Sequence, residues 1–243
     1  TRTSSSAASD VYKRQVGLLS YDEAKNVEGY NLYFPNNQHN VYLLDNCGRI
    51  VHTWEDSVYF PGNAVYLTED GHLYKCGSRG PASNGFIHAG GAGEVLEKRD
   101  WDNNLLWRYT YNDSTVRMHH DIEVLPNGNV LILAWERRAR GNAIVNGRDT
   151  ALIDAGHIWP ERIVEVEQTG LTTGNIVWVW RAWNHLIQDF DSTRLNYGVV
   201  ADHPELIDIN FGINGGSPDW LHGNAIDYNP ELDQVMLLSL IHI

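Results

Sequence analysis

A pattern of two hairpins separated by a short polar segment recurs along this chain and limits the folds that it can adopt. Each hairpin has two short apolar strands around a turn rich in Asp, Asn and Gly, which tolerate positive φ angles. The first hairpins cover residues 41–54, 94–109 and 163–180, and the second hairpins cover residues 64–74, 122–133 and 226–237. Two hairpins make one four-stranded propeller blade, so we predict an all-β fold, a partial β-propeller of about three four-stranded blades.

The polar segment before each second hairpin carries side chains that could meet at one site; we call it the slot. The three slots contain Pro61-Gly62-Asn63-Ala64, Met118-His119-His120-Asp121 and Trp220-Leu221-His222-Gly223-Asn224. Equivalent positions of propeller blades surround one axis, so we predict that the slots form a ring around a shared site. Alternation along a strand puts His222 and Asn224 on the same side. The same rule puts His119 and His120 on opposite sides, so only one is expected to face the axis.

Two long insertions interrupt the repeats, at residues 135–160 and 181–219. Long inserts on one face of a repeat fold commonly carry binding function. Residues 202–208 of the second insertion have Pro204 near their start, and we predict a short helix there.

The composition excludes several classes of partner. The formal net charge is −13, and the sequence has no basic patch of the kind that nucleic acids require. It has no run of about 18 apolar residues, so we expect no membrane span. The two cysteines, Cys47 and Cys76, could form a disulfide or remain free thiols, and their spacing matches no metal site.

The two ends of the chain have the codons of a sequencing adapter. Residues 10–15 and residues 238–243 can be encoded by DNA strings that are reverse complements of each other, like a transposon adapter used in library preparation. We therefore expect residues 1–15 and 238–243 to be adapter-derived tails and the partial propeller domain to span residues 16–237.

Four stretches of the chain resemble the bacterial arylsulfotransferase family, the aryl-sulfate sulfotransferases that work without PAPS. They are residues 40–45, 118–129, 183–191 and 219–234, the last reading Asp219-Trp220-Leu221-His222-Gly223-Asn224 and onward to Gln234. The resemblance covers nearly all of residues 28–237, and its motifs are long and specific. It implies a six-bladed propeller and export to the periplasm or beyond. We expect neither a cofactor nor a metal.

The resemblance also implies a reaction, in which a sulfuryl group moves from a phenolic sulfate ester to a phenol acceptor through a sulfohistidine. His222 matches one active-site histidine of the family, and either His119 or His120 matches the neighbourhood of another. We expect Asn224, Trp220 and Asn63, all in the slots, to contact substrate.

The resemblance further implies two active-site residues that we do not find in this sequence. Family members have an Arg, or in some branches a His, at the position of Leu240, and the histidine that carries the sulfuryl group lies further downstream. We therefore expect the chain as printed to be inactive even if its parent protein is an enzyme.

Histidine in the slots suits this chemistry. Sulfuryl transfer, like phosphoryl transfer, develops charge on peripheral oxygens and needs donors for those oxygens, a nucleophile, and an acid or base for the phenol. Neutral imidazole can attack or accept a proton near pH 7, and imidazolium can stabilise sulfate oxygens.

Two other functions are open at this stage. One is a non-catalytic propeller that binds ligands or glycans. The other is a quinone-cofactor dehydrogenase on a Trp-rich propeller, although the uneven spacing of the repeats fits that class poorly. Fold analogy cannot separate these functions, because propellers host many activities.

Overall fold

Short apolar segments joined by polar turns form the strands of this chain, and most of these strands pair antiparallel. The computed structural model describes residues 20–80, 87, 89–212 and 217–239. These residues contain many strands and one α-helix, so the fold is all-β, as predicted. No helix among them has the length and apolar composition that crossing a bilayer requires.

The N-terminal part forms two antiparallel sheets. The first contains β1 (Tyr30–Tyr33), β2 (Val41–Asp45) and β3 (Ile50–Trp54), in that order. The second contains β4 (Phe60–Leu67), β5 (Leu73–Ser78), β6 (Val95–Arg99) and β7 (Leu105–Thr110), also in chain order. Each strand of the second sheet therefore pairs with its neighbour in sequence, which makes a four-stranded meander.

The second half begins with another four-stranded sheet and its insertion. The elements are β8 (Val116–Val124), β9 (Val130–Glu136), β10 (Arg138–Ala139), helix α1 (Arg140–Val145), β11 (His157–Ile158), β12 (Glu161–Gln168) and β13 (Gly174–Arg181). The third sheet has the order β13-β12-β9-β8, and β10 pairs with β11 beside it.

The remaining strands are short except for one hairpin. They are β14 (Leu186–Ile187), β15 (Ile207–Asp208), β16 (Gly223–Asn229) and β17 (Gln234–Ser239). Strands β14 and β15 are parallel, and β16 pairs antiparallel with β17. The Ser239 hydroxyl donates a hydrogen bond to the Leu221 carbonyl, which joins the end of β17 to the third slot.

The hairpins predicted from the repeats are confirmed, but they combine into sheets in a different way. Each four-stranded sheet opens with a slot-bearing hairpin, β4–β5 or β8–β9, and closes with the hairpin that follows it in the chain. The slot therefore lies at the start of the first strand of its sheet, and the first strand β8 contacts both β4 and β16.

The predicted helix at residues 202–208 is wrong. A 3-10 helix ends at Asp202, and the chain turns at Pro204 and enters β15. Proline disfavours helical backbone at the residue before it, which here is His203. The Ile207 amide instead donates to the His185 carbonyl at 2.6 Å, so sheet pairing replaces the helix.

Apolar layers hold the sheets face to face. One cluster between the second and third sheets includes the buried side chains of Leu96, Trp107, Met118, Ile132 and Val164. A second cluster, between the third sheet and the β16–β17 hairpin, includes Leu131, Leu133, Ile163 and Ile226. Full burial of such a side chain contributes roughly 1.5–3 kcal/mol, so these layers fix the position of the first strands.

The two insertions pack together and lead directly into the third slot. Their common cluster includes the buried side chains of Ala143, Ile158, Leu186, Ile209 and Trp220. The Arg148 guanidinium lies over the Trp220 ring, 5.8 Å from its centroid. Both insertions therefore support the backbone immediately before His222.

A buried ionic network joins the inner strands of the second sheet to the loop before it. The Lys75 ammonium lies 2.5 Å from the Asp56 carboxylate and 3.3 Å from that of Glu97. The Glu97 carboxylate also contacts Arg99 at 3.2 Å and Arg108 at 2.5 Å. Each buried charge in this network therefore has at least one opposite charge beside it.

The two cysteines are free thiols. Cys47 is exposed and Cys76 is buried, which settles the choice that the sequence left open. Burial raises the pKa of the Cys76 thiol to about 12.

Candidate functional site

Each of the three slots contains a bulge at which one residue adopts a positive φ. These residues are Asn63 at 78°, His120 at 50° and His222 at 47°. The ladder of each first strand shifts register at or beside the same place. A left-handed conformation costs a residue with a side chain roughly 1–2 kcal/mol, and Asn tolerates it best. Two of the three strained positions carry histidine, and backbone strain of this kind concentrates at functional sites.

The structure brings the imidazoles of His120 and His222 together from neighbouring first strands. Their ring centroids are 5.1 Å apart and the rings meet at 66°. Both side chains are partly exposed. The predicted meeting of the second and third slots is therefore present in the structure.

The alternation rule predicted that His119 and His120 point to opposite sides of the strand, but in the structure their rings contact each other. Their Nδ1 atoms are 2.9 Å apart, within hydrogen-bond distance. The positive φ of His120 breaks the alternation, because the bulge turns its side chain back towards its neighbour. His119 is fully buried and stacks on Trp135 with 3.8 Å between ring centroids. His120 is thus the accessible member of the pair.

A buried carboxyl group links the second and third slots. Glu161, the first residue of β12, is fully buried, and its Oε2 lies 2.8 Å from His119 Nε2. Its Oε1 accepts a hydrogen bond of 2.6 Å from the Gly223 amide, next to His222. Glu161, His119 and His120 therefore form one continuous hydrogen-bonded chain.

Burial keeps the members of this chain uncharged near pH 7. Desolvation raises the pKa of Glu161 to about 8. Desolvation also lowers the pKa of His119 to about 3 and that of His120 to about 4, and for His120 the other two imidazoles add to the effect. All three shifts have the same cause, because a low-dielectric surrounding disfavours the charged form of each group.

His222 is oriented by its own carboxylate. Asp219 Oδ2 lies 2.5 Å from His222 Nδ1, and the two residues are three positions apart in the chain. A carboxylate can only accept, so this contact puts a proton on Nδ1. His222 Nε2 is then the ring atom left for a substrate.

Asp121 ties the three first strands together. Its carboxylate accepts 2.5 Å from the Tyr66 hydroxyl of β4 and 2.9 Å from the Ile226 amide of β16. Burial raises the pKa of Asp121, with Asp227 adding to the rise. Asp121 belongs to the second slot, but its hydrogen bonds connect strands of the fold.

Gly91 makes room for the His120 ring. Its φ is +75°, and a Cβ added there would collide with the imidazole. Its carbonyl accepts a 2.9 Å hydrogen bond from the His120 amide. Gly91 also lines a cavity of about 390 Å³ that Asn63 and Phe60 border, and this volume lies in the range of small-molecule sites.

The three residues expected to contact substrate have different environments. Asn63 is exposed at the rim of that cavity. Asn224 is partly exposed at the bulge of β16, where the register shift interrupts the alternation that would align it with His222. Trp220 is fully buried, and its indole N–H donates to the Phe211 carbonyl at 3.0 Å, so it can influence a substrate only through the backbone that it supports.

Sequence reasoning missed three residues of this site: Glu161, Asp219 and Gly91. Asp219 stood within a motif, three residues before His222, and that spacing could have marked it as a ring partner. Glu161 begins a strand whose residues Ile163 and Val166 are buried, so an acid on a buried segment was the available signal. Gly91 gave no signal, because its role depends on a ring from another strand.

The part of the chain that the structure describes has no group of three or more His, Cys, Asp or Glu side chains arranged to hold a metal ion. The imidazoles instead contact carboxyl groups and each other. The arrangement can exchange protons and donate hydrogen bonds to an anion from two partly exposed rings.

Fold and site together define an all-β protein whose histidine-rich centre is built where first strands of neighbouring sheets meet. The family model described as Arylsulfotransferase (ASST) matches residues 20–242. This match spans most of the chain, so the protein belongs to the arylsulfotransferase family, as its four motifs predicted. No curated protein matches the chain. Membership of this family leaves the quinone-dehydrogenase alternative without support.

Proposed function

We propose that this protein acts in the transfer of a sulfuryl group from a phenolic sulfate ester to a phenol acceptor. The observation that carries the proposal is the pair of partly exposed imidazoles, His120 and His222, 5.1 Å apart at the joint of two sheets. A sulfuryl group between two phenolic oxygens needs polar contacts on both its oxygens and its leaving group, and two rings can supply both.

The two imidazoles have different surroundings and therefore different proposed roles. Burial lowers the pKa of His120 to about 4, so this ring is neutral near pH 7 and suited to exchange the phenolic proton. His222 is held by the Asp219 carboxylate at Nδ1, and in its imidazolium form it donates to the sulfuryl oxygens from Nε2. Asn224 and Asn63 contribute side-chain amides at the edge of the site.

Family membership and strand arrangement support a wider proposal about the parent protein. We propose that the described sheets are blades of a six-bladed propeller. The contacts of β8 with β4 and with β16 support this, because blades around one axis bring their first strands together. We propose that the reaction passes through a sulfohistidine and that the protein acts in the periplasm or outside the cell. The first 15 and last six residues remain candidates for adapter-derived sequence.

The test begins with the genomic DNA around this sequence. Sequencing outward across both ends gives the full reading frame, and the protein that it encodes is incubated with 4-nitrophenyl sulfate and phenol. We expect release of 4-nitrophenol with formation of phenyl sulfate. We expect His222→Ala to reduce kcat roughly 100- to 1,000-fold, the loss typical of removing one group that stabilises transition-state charge.

His203→Ala is the matched control, because His203 is an exposed histidine that contacts Glu205 away from the slots. It should transfer sulfate at the wild-type rate. The proposal is overturned if the full protein forms no phenyl sulfate, or if His222→Ala is as active as His203→Ala. The first outcome would favour a non-catalytic ligand- or glycan-binding protein.

A further inference from the structure

We propose that Glu161, His119 and His120 form a proton relay, in which buried Glu161 stores the proton that His120 exchanges with the phenolic oxygen. This inference rests on the proposed function for its substrate. The relay itself rests on the contacts of the described residues, and neither Glu161 nor His119 can reach a substrate directly, since both are fully buried.

The geometry leaves two proton arrangements along the chain. A neutral imidazole has one N–H donor and one acceptor nitrogen. When Glu161 carries a proton, it donates to His119 Nε2, so His119 donates from Nδ1 to His120 Nδ1 and the His120 proton is on Nε2. When Glu161 is ionised, every hydrogen bond reverses, and His120 Nε2 becomes unprotonated.

The two arrangements differ by one proton at the substrate end. When a phenolic oxygen leaves the sulfuryl group, the His120 Nε2–H bond breaks and the phenol O–H bond forms. The His119 Nδ1 proton moves to His120 Nδ1, and the Glu161 proton moves to His119 Nε2. Three bonds to hydrogen break and three form, and Glu161 ends as a carboxylate. Deprotonation of the acceptor phenol reverses all three transfers, so a complete turnover restores the starting state.

The surroundings of Glu161 favour such a store. Its Oε1 accepts from the Gly223 amide in both arrangements, which fixes the carboxyl group while Oε2 gains or loses the proton. Burial raises the pKa of Glu161 to about 8, so its protonated and ionised forms are both accessible close to neutral pH. Within the part of the chain that the structure describes, the charged and titratable groups that face the relay are His222 and Asp219 from the third slot.

The positions of the rings support proton transfer and resist rearrangement. His119 stacks on Trp135 at 12° between ring planes, which prevents rotation of the middle imidazole. The His120 ring is confined by Gly91, whose missing Cβ leaves space for the Cε1–Nε2 edge. The relay therefore ends beside the residue that lines the 390 Å³ cavity.

The test reads the tautomer of His120 without any substrate. The 243-residue chain is labelled with ¹⁵N-histidine, and the ring nitrogens are followed by long-range ¹H–¹⁵N NMR from about pH 6 to about pH 10. We expect His120 Nε2 to change from a protonated to an unprotonated nitrogen shift, with a midpoint near the Glu161 pKa of about 8. In Glu161→Gln the amide always donates to His119, so His120 should keep the Nε2–H tautomer throughout.

Glu165→Gln is the matched control on the same strand, because the Glu165 side chain contacts Asn127 and Asn129 outside the relay. It should switch as the wild-type chain does. A wild-type His120 that keeps one tautomer over the whole range overturns the relay, and this measurement needs no variant to fold. A switch that persists unchanged in Glu161→Gln also overturns it.

The failure of this inference is distinguishable from that of the proposed function. The NMR titration contains no sulfate ester, so its outcome is independent of catalysis. A tautomer switch in a full-length protein that forms no phenyl sulfate would retain the relay and remove its proposed substrate. Active protein without the switch would do the opposite.

Discussion

Glu97 and Glu161, two of the buried glutamates among the described residues, have opposite surroundings. Glu97 of β6 lies among three cations, Lys75, Arg99 and Arg108. Glu161 of β12 contacts a neutral imidazole, His119, and one backbone amide. Both side chains are 0% exposed, so the extent of burial does not distinguish them.

The comparison distinguishes Glu97, an ionised acid with a structural role, from Glu161, a protonated acid with a proposed functional role. Opposite charges around Glu97 offset the cost of removing its charge from water, and the network joins strands of the second sheet. Glu161 has no such compensation, so its charged form is disfavoured and it holds a proton. A buried acid of the second kind is of little use to stability and is typical of functional sites.

The largest expected effect follows substitution of Glu97, the glutamate with a structural role. Glu97→Gln removes the anion from the centre of three cations, and we expect a loss of about 3–5 kcal/mol in the free energy of unfolding. Glu161→Gln replaces a protonated acid by an amide of the same shape, and we expect less than about 1 kcal/mol at pH 6. Urea denaturation of both variants measures the difference. Equal losses would show that the two acids have the same role.

A third carboxylate extends the comparison to the partly exposed ring. Asp219 contacts His222 at 2.5 Å, and its side chain retains 15% exposure. Asp219→Asn keeps the shape but removes the acceptor charge that fixes the His222 tautomer. By analogy with catalytic triads, we expect kcat for 4-nitrophenyl sulfate to fall roughly 100- to 10,000-fold in the protein encoded by the full reading frame. An unchanged kcat would assign Asp219 to the scaffold.

The pH dependence of stability sharpens the contrast between the two glutamates. The pKa of Glu161 rises from 4.5 unfolded to about 8 folded, so the folded state holds an extra proton between these values. Stability due to this group is therefore present at low pH and is lost as pH rises towards 8. His119 and His120 have lowered pKa values of about 3 and about 4, which act in the opposite direction but only below 6.5.

A further acid, Glu123, limits the pH range in which the effect of Glu161 on stability can be observed. The pKa of Glu123 is raised to about 7, so its contribution fades above pH 7 and the fall caused by Glu161 is the larger one between about 7 and 8. We expect the free energy of unfolding to decrease there by about 1 kcal/mol. Glu161→Gln should remove the decrease, whereas Glu165→Gln should retain it. Denaturation series at matched pH values measure this, and a slope that is the same in both variants would refute the assignment.

The site shows which of its parts could be predicted from the sequence. Repeated hairpins and slot histidines follow from local patterns, since alternation and turn residues act over a few positions. Glu161 contacts His119 across 42 residues of chain, and no local pattern reports such a pair. The alternation rule put His119 and His120 on opposite sides because it assumes a regular strand. The bulge at His120 appears only in the pairing register and the positive φ of the structure.

The smallest expected effect concerns the first slot, which has the bulge but no imidazole. Asn63 has a φ of 78° and lines the cavity that Gly91 also borders. Asn63→Ala should lower the free energy of unfolding by about 1 kcal/mol, because Ala lacks the tolerance of Asn for this conformation. Asn63→Gly should be nearly neutral for stability, yet it should raise KM for 4-nitrophenyl sulfate about 2- to 10-fold through one lost hydrogen bond, with kcat unchanged. If Asn63→Gly instead lowers kcat to the extent of His222→Ala, Asn63 takes part in the chemical step and not only in substrate binding. The first slot would then belong to the same functional unit as the histidines of the second and third slots.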